Sequence, residues 1–119
     1  MQTVNEALEK LKTSKFRASF HLTKKDREYL AEHSSETIAA HARDFVKSRL
    51  AKYNAEKDGK QTPMHGHPVF KAMHATACCC RGCLEKWYRV SRERDLTENE
   101  QERIVKLLLA WLKRQKNIR

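Results

Sequence analysis

The chain has 119 residues, 39% of them hydrophobic, and its 25 Lys+Arg against 15 Asp+Glu give a net charge of +10. This length and apolar content predict a single domain spanning residues 1–119 and exclude a wholly disordered chain. Three Gly and two Pro are too few for the tight turns of a β-sandwich or barrel. We therefore predict an all-α fold of about five helices around one small core.

The N-terminus predicts a short amphipathic helix. Residues 2–12 carry apolar side chains at spacings of three and four, which is the period of one helix face. Because terminal helices with few apolar residues fray, we expect residues 1–15 to form a loosely attached element. The first twenty residues hold no unbroken apolar run, which excludes a secretory signal and favours a cytoplasmic protein.

Two further helices are predicted before the middle of the chain. Thr23 and Asp26 have the spacing of a capping box for a helix that ends near His33. From Glu36 to Leu50 apolar residues recur with the helical period, and this is the clearest helix of the sequence.

A long central loop is predicted next. Residues 53–66 hold two of the three Gly, one Pro, Asn and Asp, and loops of this length inside compact domains tend to be functional. Three polar residues of the loop are candidates for binding a phosphate or acting as a base: Asp58, Lys60 and Gln61.

The remaining helices follow the loop. Pro68 suits the first turn of a helix, and Thr97 with Glu100 forms a second capping-box pattern. The apolar run within residues 104–112 predicts a last helix that is buried on two sides or forms a homodimer. Its six consecutive apolar residues are far too few to span a membrane, which needs about 20.

Residues 65–83 hold all four cysteines and three of the six histidines. In a reducing cytoplasm such a cluster is typical of a metal site rather than of disulfides. Zinc takes thiolate and imidazole ligands, and Cys80 and Cys83 lie at the C-x-x-C spacing. We predict one zinc ion per chain within residues 64–89. Reactive or redox thiols, cysteines that only pack in the core, and an iron–sulfur cluster are the alternatives.

Histidines are expected to complete the site, because a second C-x-x-C is missing. His67 and His74 are nearest in sequence to the cysteines. His41 projects beside the apolar face of its predicted helix and is a further candidate. Gly82 is expected to let the backbone approach the metal.

Several motifs also resemble those of a known family. They are DGKQTP, GHPVF, HAT and CCRGCL, at residues 58–63, 66–70, 74–76 and 79–84. Over roughly residues 16–111 the chain resembles an uncharacterised family of small bacterial and phage proteins that is classed only as a domain of unknown function. That family usually has another residue at Cys78 and Arg at His65. The resemblance thus implies no activity but narrows the metal ligands to His67, His74, Cys79, Cys80 and Cys83.

The positive charge surrounds the cysteines and recurs at the C-terminus. Basic side chains beside Trp87 and Tyr88 offer phosphate contacts and stacking faces for bases, so we expect a nucleic-acid partner. A solvated cationic face is the alternative. The residues expected at the interface are Arg81, Lys86, Arg89, Arg92, Arg94, Lys113 and Arg114.

Two other functions stay open. A zinc ion with three protein ligands could activate water, and the polar loop residues would then serve a metal-dependent nuclease or other hydrolase. The protein could instead be a protein-interaction adaptor, which would dimerise through residues 104–112 and would not bind nucleic acid.

Overall fold

The computed structural model describes residues 2–116, which form seven α-helices and no β-strand. The all-α prediction is confirmed, whereas the predicted number of five helices is wrong. The helices are α1 (Val4–Leu11), α2 (Lys15–Ala18), α3 (Lys24–Glu32), α4 (Ser35–Arg49), α5 (Pro68–Ala75), α6 (Arg81–Tyr88) and α7 (Glu98–Lys116). Sequence patterns missed α2 and α6. The first has only four residues, and the second has a glycine in its first turn, which lowers helix propensity.

Side-chain caps define where several helices begin. In both predicted capping boxes, Thr23 with Asp26 and Thr97 with Glu100, the threonine hydroxyl accepts from the acidic residue's amide and the carboxylate accepts from the threonine amide. Pro68 lies in the first turn of α5, as predicted. The local signals for these helix starts are therefore confirmed.

Helix α7 lies along α4, α5 and α1 and supplies much of the core. The apolar run that motivated the predicted homodimer is buried within the chain itself: Ile104, Val105, Leu107, Leu108, Trp111 and Leu112. Helix α1 packs on α7 through the buried Ala7, Leu8 and Leu11. Within residues 2–116, every helix is too short or too polar to cross a lipid bilayer.

The chain between α4 and α5 forms the predicted long loop, and a buried arginine anchors the segments around it. Arg81 is fully buried. Its Nη1 donates to the carbonyl oxygens of Leu50 and Ala51, both at 3.2 Å, and its Nη2 donates to those of Ser91 (2.7 Å) and Arg94 (2.8 Å). The expectation that Arg81 contacts nucleic acid is therefore wrong, because its guanidinium lies inside the protein.

We expect Arg81→Met to destabilise the protein. The substitution leaves four carbonyl oxygens without their charged donor, at a cost of about 2–4 kcal/mol in the free energy of unfolding. Urea unfolding followed by circular dichroism would measure it. Arg103→Met, which makes the same chemical change at an exposed position of α7, should change stability by less than about 0.5 kcal/mol. Equal stabilities of the two variants would contradict the anchoring role.

Candidate metal centre

Three cysteine sulfurs form a compact group at the start of α6. The Sγ atoms of Cys79, Cys80 and Cys83 lie within 4.8 Å of one another. Cys79 and Cys80 are buried, and Cys83 is partly exposed. Zn–S bonds of about 2.3 Å in a tetrahedron place sulfurs about 3.8 Å apart. Small side-chain rotations would therefore close this group around one ion, and the donor set fits a metal that prefers soft ligands.

A left-handed turn after α5 leads the chain into the cysteine group. The amide of Cys78 donates to the Met73 carbonyl (2.8 Å), and the amide of Ala77 donates to the His74 carbonyl (3.3 Å). This pair of bonds ends helices through a residue in the left-handed region, and Ala77 has a φ of 60°. The turn directs the chain away from α5 and toward the first turn of α6.

The C-x-x-C spacing coincides with the cap of α6. Cys80 is the N-cap residue, and its Sγ accepts a hydrogen bond from the amide of Cys83 at 3.4 Å. The N-cap residue and the third residue of a helix are neighbours in space, which brings these two sulfurs together. The dipole of the helix N-terminus also favours negative charge at this position.

Asp58 completes this helix end from the central loop. Its Oδ1 accepts hydrogen bonds from the amides of Arg81 (3.1 Å) and Gly82 (3.3 Å) and from Nε2 of Gln61 (2.9 Å). A Cβ on Gly82 would lie 2.8 Å from Oδ2 of Asp58. The absence of a side chain at Gly82 therefore makes room for the Asp58 carboxylate. The expectation that Gly82 lets the backbone approach a metal is not met. Asp58 and Gln61 fix the loop on α6, while Lys60 is exposed.

Arg17 is a functional candidate that the sequence patterns missed. Arg17 belongs to α2 and its side chain is buried. Its Nη1 donates to the carbonyl oxygen of His74 at 2.7 Å. The same Nη1 lies 3.6 Å from Sγ of Cys79, and Nη2 lies 3.2 Å from Sγ of Cys83. One guanidinium thus contacts two of the three sulfurs. No local pattern signals this, because 62 residues separate Arg17 from Cys79.

The thiols of the group differ in acidity. A hydrogen bond from Cys83 lowers the pKa of Cys79, and Arg17 adds to this effect while burial opposes it. The same hydrogen bond and burial raise the pKa of Cys83. Burial raises the pKa of Cys80, and it raises the pKa of Cys78 to about 12. Cys79 is therefore the sulfur that ionises most readily.

His74 lies apart from the sulfur group, although it is a predicted ligand. Its Nε2 is 3.0 Å from the Thr62 carbonyl oxygen and 3.2 Å from that of Pro63. Nε2 therefore carries a hydrogen and donates to both. The ring stacks on Phe20. Its role in the structure is to hold the central loop on α5.

The two other histidine candidates pair with each other. Nδ1 of His67 accepts from the amide of Val69 at 3.0 Å, so the neutral ring carries its hydrogen on Nε2. That Nε2 lies 3.1 Å from Nδ1 of His41 and donates to it. A nitrogen that bears hydrogen has no lone pair for a metal. His67 therefore caps α5 and His41 accepts a hydrogen bond from it, and neither histidine belongs to the sulfur group.

The predicted nucleic-acid residues fall into three groups. Arg81 is buried. Three others form ion pairs within the chain: Arg92 with Glu85 and Asp58, Arg94 with Glu100, and Arg114 with Glu9. Three are exposed and have no acidic partner within the part of the chain that the structure describes: Lys86, Arg89 and Lys113.

Comparison with known proteins identifies the family. The family model of DUF4186, a domain of unknown function, matches residues 5–113. The chain belongs to this family, and its predicted membership of an uncharacterised family is confirmed. No solved structure matches the chain.

The buried His67 predicts a pH-dependent stability. Burial, together with the charges of His41 and His33, lowers the pKa of His67 to about 4. Between pH 6.5 and 4 the unfolded chain binds a proton that the folded chain does not, so the free energy of unfolding should decrease as the pH falls through this window. The His67→Asn variant keeps an oxygen that caps α5 but cannot titrate.

We expect His67→Asn to reduce this loss of stability by about 1–3 kcal/mol. Urea unfolding at several pH values, at matched metal content, would measure it. His21→Asn at an exposed position is the control and should leave the pH dependence unchanged. A wild-type pH profile in His67→Asn would show that this histidine does not carry the effect.

Proposed function

We propose that this DUF4186 protein binds one zinc ion through Cys79, Cys80 and Cys83. The observation that carries the proposal is the grouping of their three sulfurs within 4.8 Å. Soft thiolates suit zinc, whereas an iron–sulfur cluster generally requires four thiolates. Cys78 does not join the group. Its buried sulfur instead donates to the Thr76 carbonyl at 3.6 Å.

The fourth position of the zinc takes water or an external ligand. Within residues 2–116 no further Cys, His or carboxylate lies close enough to join all three sulfurs, and Cys83 gives solvent a path to the group. Three anionic sulfurs reduce the positive charge at zinc and with it the Lewis acidity that hydrolysis needs. Asp58, the candidate base, is already engaged in capping α6. An open fourth position is typical of catalytic zinc, but the low Lewis acidity of a zinc with three thiolates favours a stabilising role for the metal in the connection between α5 and α6 over hydrolysis.

The proposal predicts about one zinc per chain in untagged protein purified without chelator, measured by elemental analysis. Replacing Cys79, Cys80 or Cys83 by Ser should weaken zinc binding by at least about 100-fold, because each supplies a direct bond. Cys78→Ala and His67→Asn should retain full zinc content. Metal-free wild-type protein with freely reactive thiols, or loss of zinc in His67→Asn alone, would contradict the proposed ligands.

A second candidate function, nucleic-acid binding, is favoured by exposed cations that have no acidic partner within residues 2–116. Lys86 and Arg89 are exposed on α6 and at its C-cap. The Lys10 ammonium lies 5.9 Å from the centre of the Trp87 ring, which adds a third cation and an aromatic face to this surface. Unpaired cations beside an aromatic ring suit a phosphate backbone with accessible bases. We propose this smaller surface as the interface, without the buried Arg81.

Fluorescence anisotropy with labelled single-stranded and duplex DNA and with RNA, at several salt concentrations, would test this interface. The double variant Lys86→Glu/Arg89→Asn removes two cations, and Asn suits the left-handed backbone at residue 89. It should weaken binding about tenfold and reduce the salt slope by about 2. The control Lys24→Glu/Lys25→Asn on α3 changes the net charge equally. Equal weakening by both would indicate only a bulk charge effect.

A further inference from the structure

We infer that Arg17 is the charge-compensating and positioning residue of the metal centre. This inference rests on the proposed zinc site. A zinc ion with three thiolates carries a net charge of −1, which is costly to bury without a partner. Arg17 is only 8% exposed, and its guanidinium supplies one positive charge in direct contact with two of the sulfurs. The assembled centre is then neutral.

The guanidinium is fixed in place by a contact that does not involve the metal. Its Nη1 donates to the His74 carbonyl at 2.7 Å, while Nη1 and Nη2 each face a different sulfur. A planar fork can make these contacts at once, whereas the single ammonium of a lysine cannot. Arg17 therefore orients the sulfurs of Cys79 and Cys83 as well as compensating their charge.

The same contacts bear on the reactivity of the sulfurs. An N–H donor beside a thiolate withdraws electron density from the sulfur lone pairs. When bound to the proposed zinc, the thiolates of Cys79 and Cys83 are therefore poorer nucleophiles than thiolates without such donors. Asp58 is a nearby negative charge, and it already forms an ion pair with Arg92 at 3.7 Å and accepts hydrogen bonds from the amides of α6. Among the described residues, Arg17 is therefore the cation that contacts the sulfurs.

The test compares Arg17→Met and Arg17→Lys with wild-type protein. Zinc affinity is measured by competition with a chromophoric chelator, and the sulfur-to-Co(II) charge-transfer band is recorded on the cobalt-substituted protein. Arg17→Met should bind zinc 10- to 100-fold more weakly, the usual effect of losing an outer-shell partner. Its charge-transfer band should move to longer wavelength, because the sulfur lone pairs lose their donors. Arg17→Lys should recover part of the affinity.

A matched control separates this role from simple destabilisation. Thr62→Val removes the buried hydrogen bond from the Thr62 hydroxyl to the Cys79 carbonyl (2.8 Å) and changes no charge. It should lower stability but leave the charge-transfer band in place. If Arg17→Met does not fold, the comparison of Arg17→Lys with Thr62→Val decides, since only the lysine variant should shift the band.

The two proposals fail in different ways. Wild-type protein that binds neither zinc nor cobalt would overturn the metal site itself. Wild-type protein that binds zinc, with an Arg17→Met variant of equal affinity and an unmoved band, would overturn the role of Arg17 alone. A band that moves equally in Thr62→Val would assign the effect to packing and would also overturn that role.

Discussion

The burial of one guanidinium constrains the region around the sulfur group. Arg81 carries a positive charge inside the protein, and a charge there is costly unless its donors find acceptors. Carbonyl oxygens of the segment after α4 and of the segment after α6 accept hydrogen bonds from its two terminal nitrogens, whereas its buried Nε has no partner among the described residues. Because Arg81 lies between Cys80 and Cys83 in the sequence, the same constraint fixes where α6 begins. The hydrogen bonds of Arg81 to these carbonyl oxygens thus help to position the sulfur atoms of Cys80 and Cys83, although Arg81 itself does not contact a ligand.

The elements that could be predicted are those whose signals are local. Apolar periodicity and the threonine caps indicated α3, α4 and α7, because each signal lies within the helix or directly before it. Helix α6 differs in this respect. Its N-cap is Cys80, and its free amides are met by Asp58 from 23 residues upstream. Only the folded chain brings that carboxylate to the helix, so no local window of sequence contains both Asp58 and the helix start that it caps.

In the candidate site, too, the residues that could be predicted are those whose signal is local. Clustering pointed to Cys79, Cys80 and Cys83 because ligands within five residues of one another at a helix start are brought together by local geometry. The histidines were less predictable. An imidazole has two nitrogens that serve equally well in hydrogen bonds to the backbone, and His67 and His74 are used in that way. Cations are ambiguous for a similar reason, since sequence does not distinguish a solvent-facing arginine from one directed at buried carbonyls or sulfurs.

The sequence separations between the residues of the candidate metal centre bear on the order in which they come together during folding. The three sulfur donors lie within residues 79–83, so the loops closed by their common ligand are short and cost little chain entropy. Arg17 and Cys79 are 62 residues apart, and their contact requires most of the tertiary structure. If zinc binds as proposed, it can therefore bind at the start of α6 before Arg17 reaches the sulfurs. On this proposal, the docking of α2 is the later step that brings the guanidinium of Arg17 against Cys79 and Cys83.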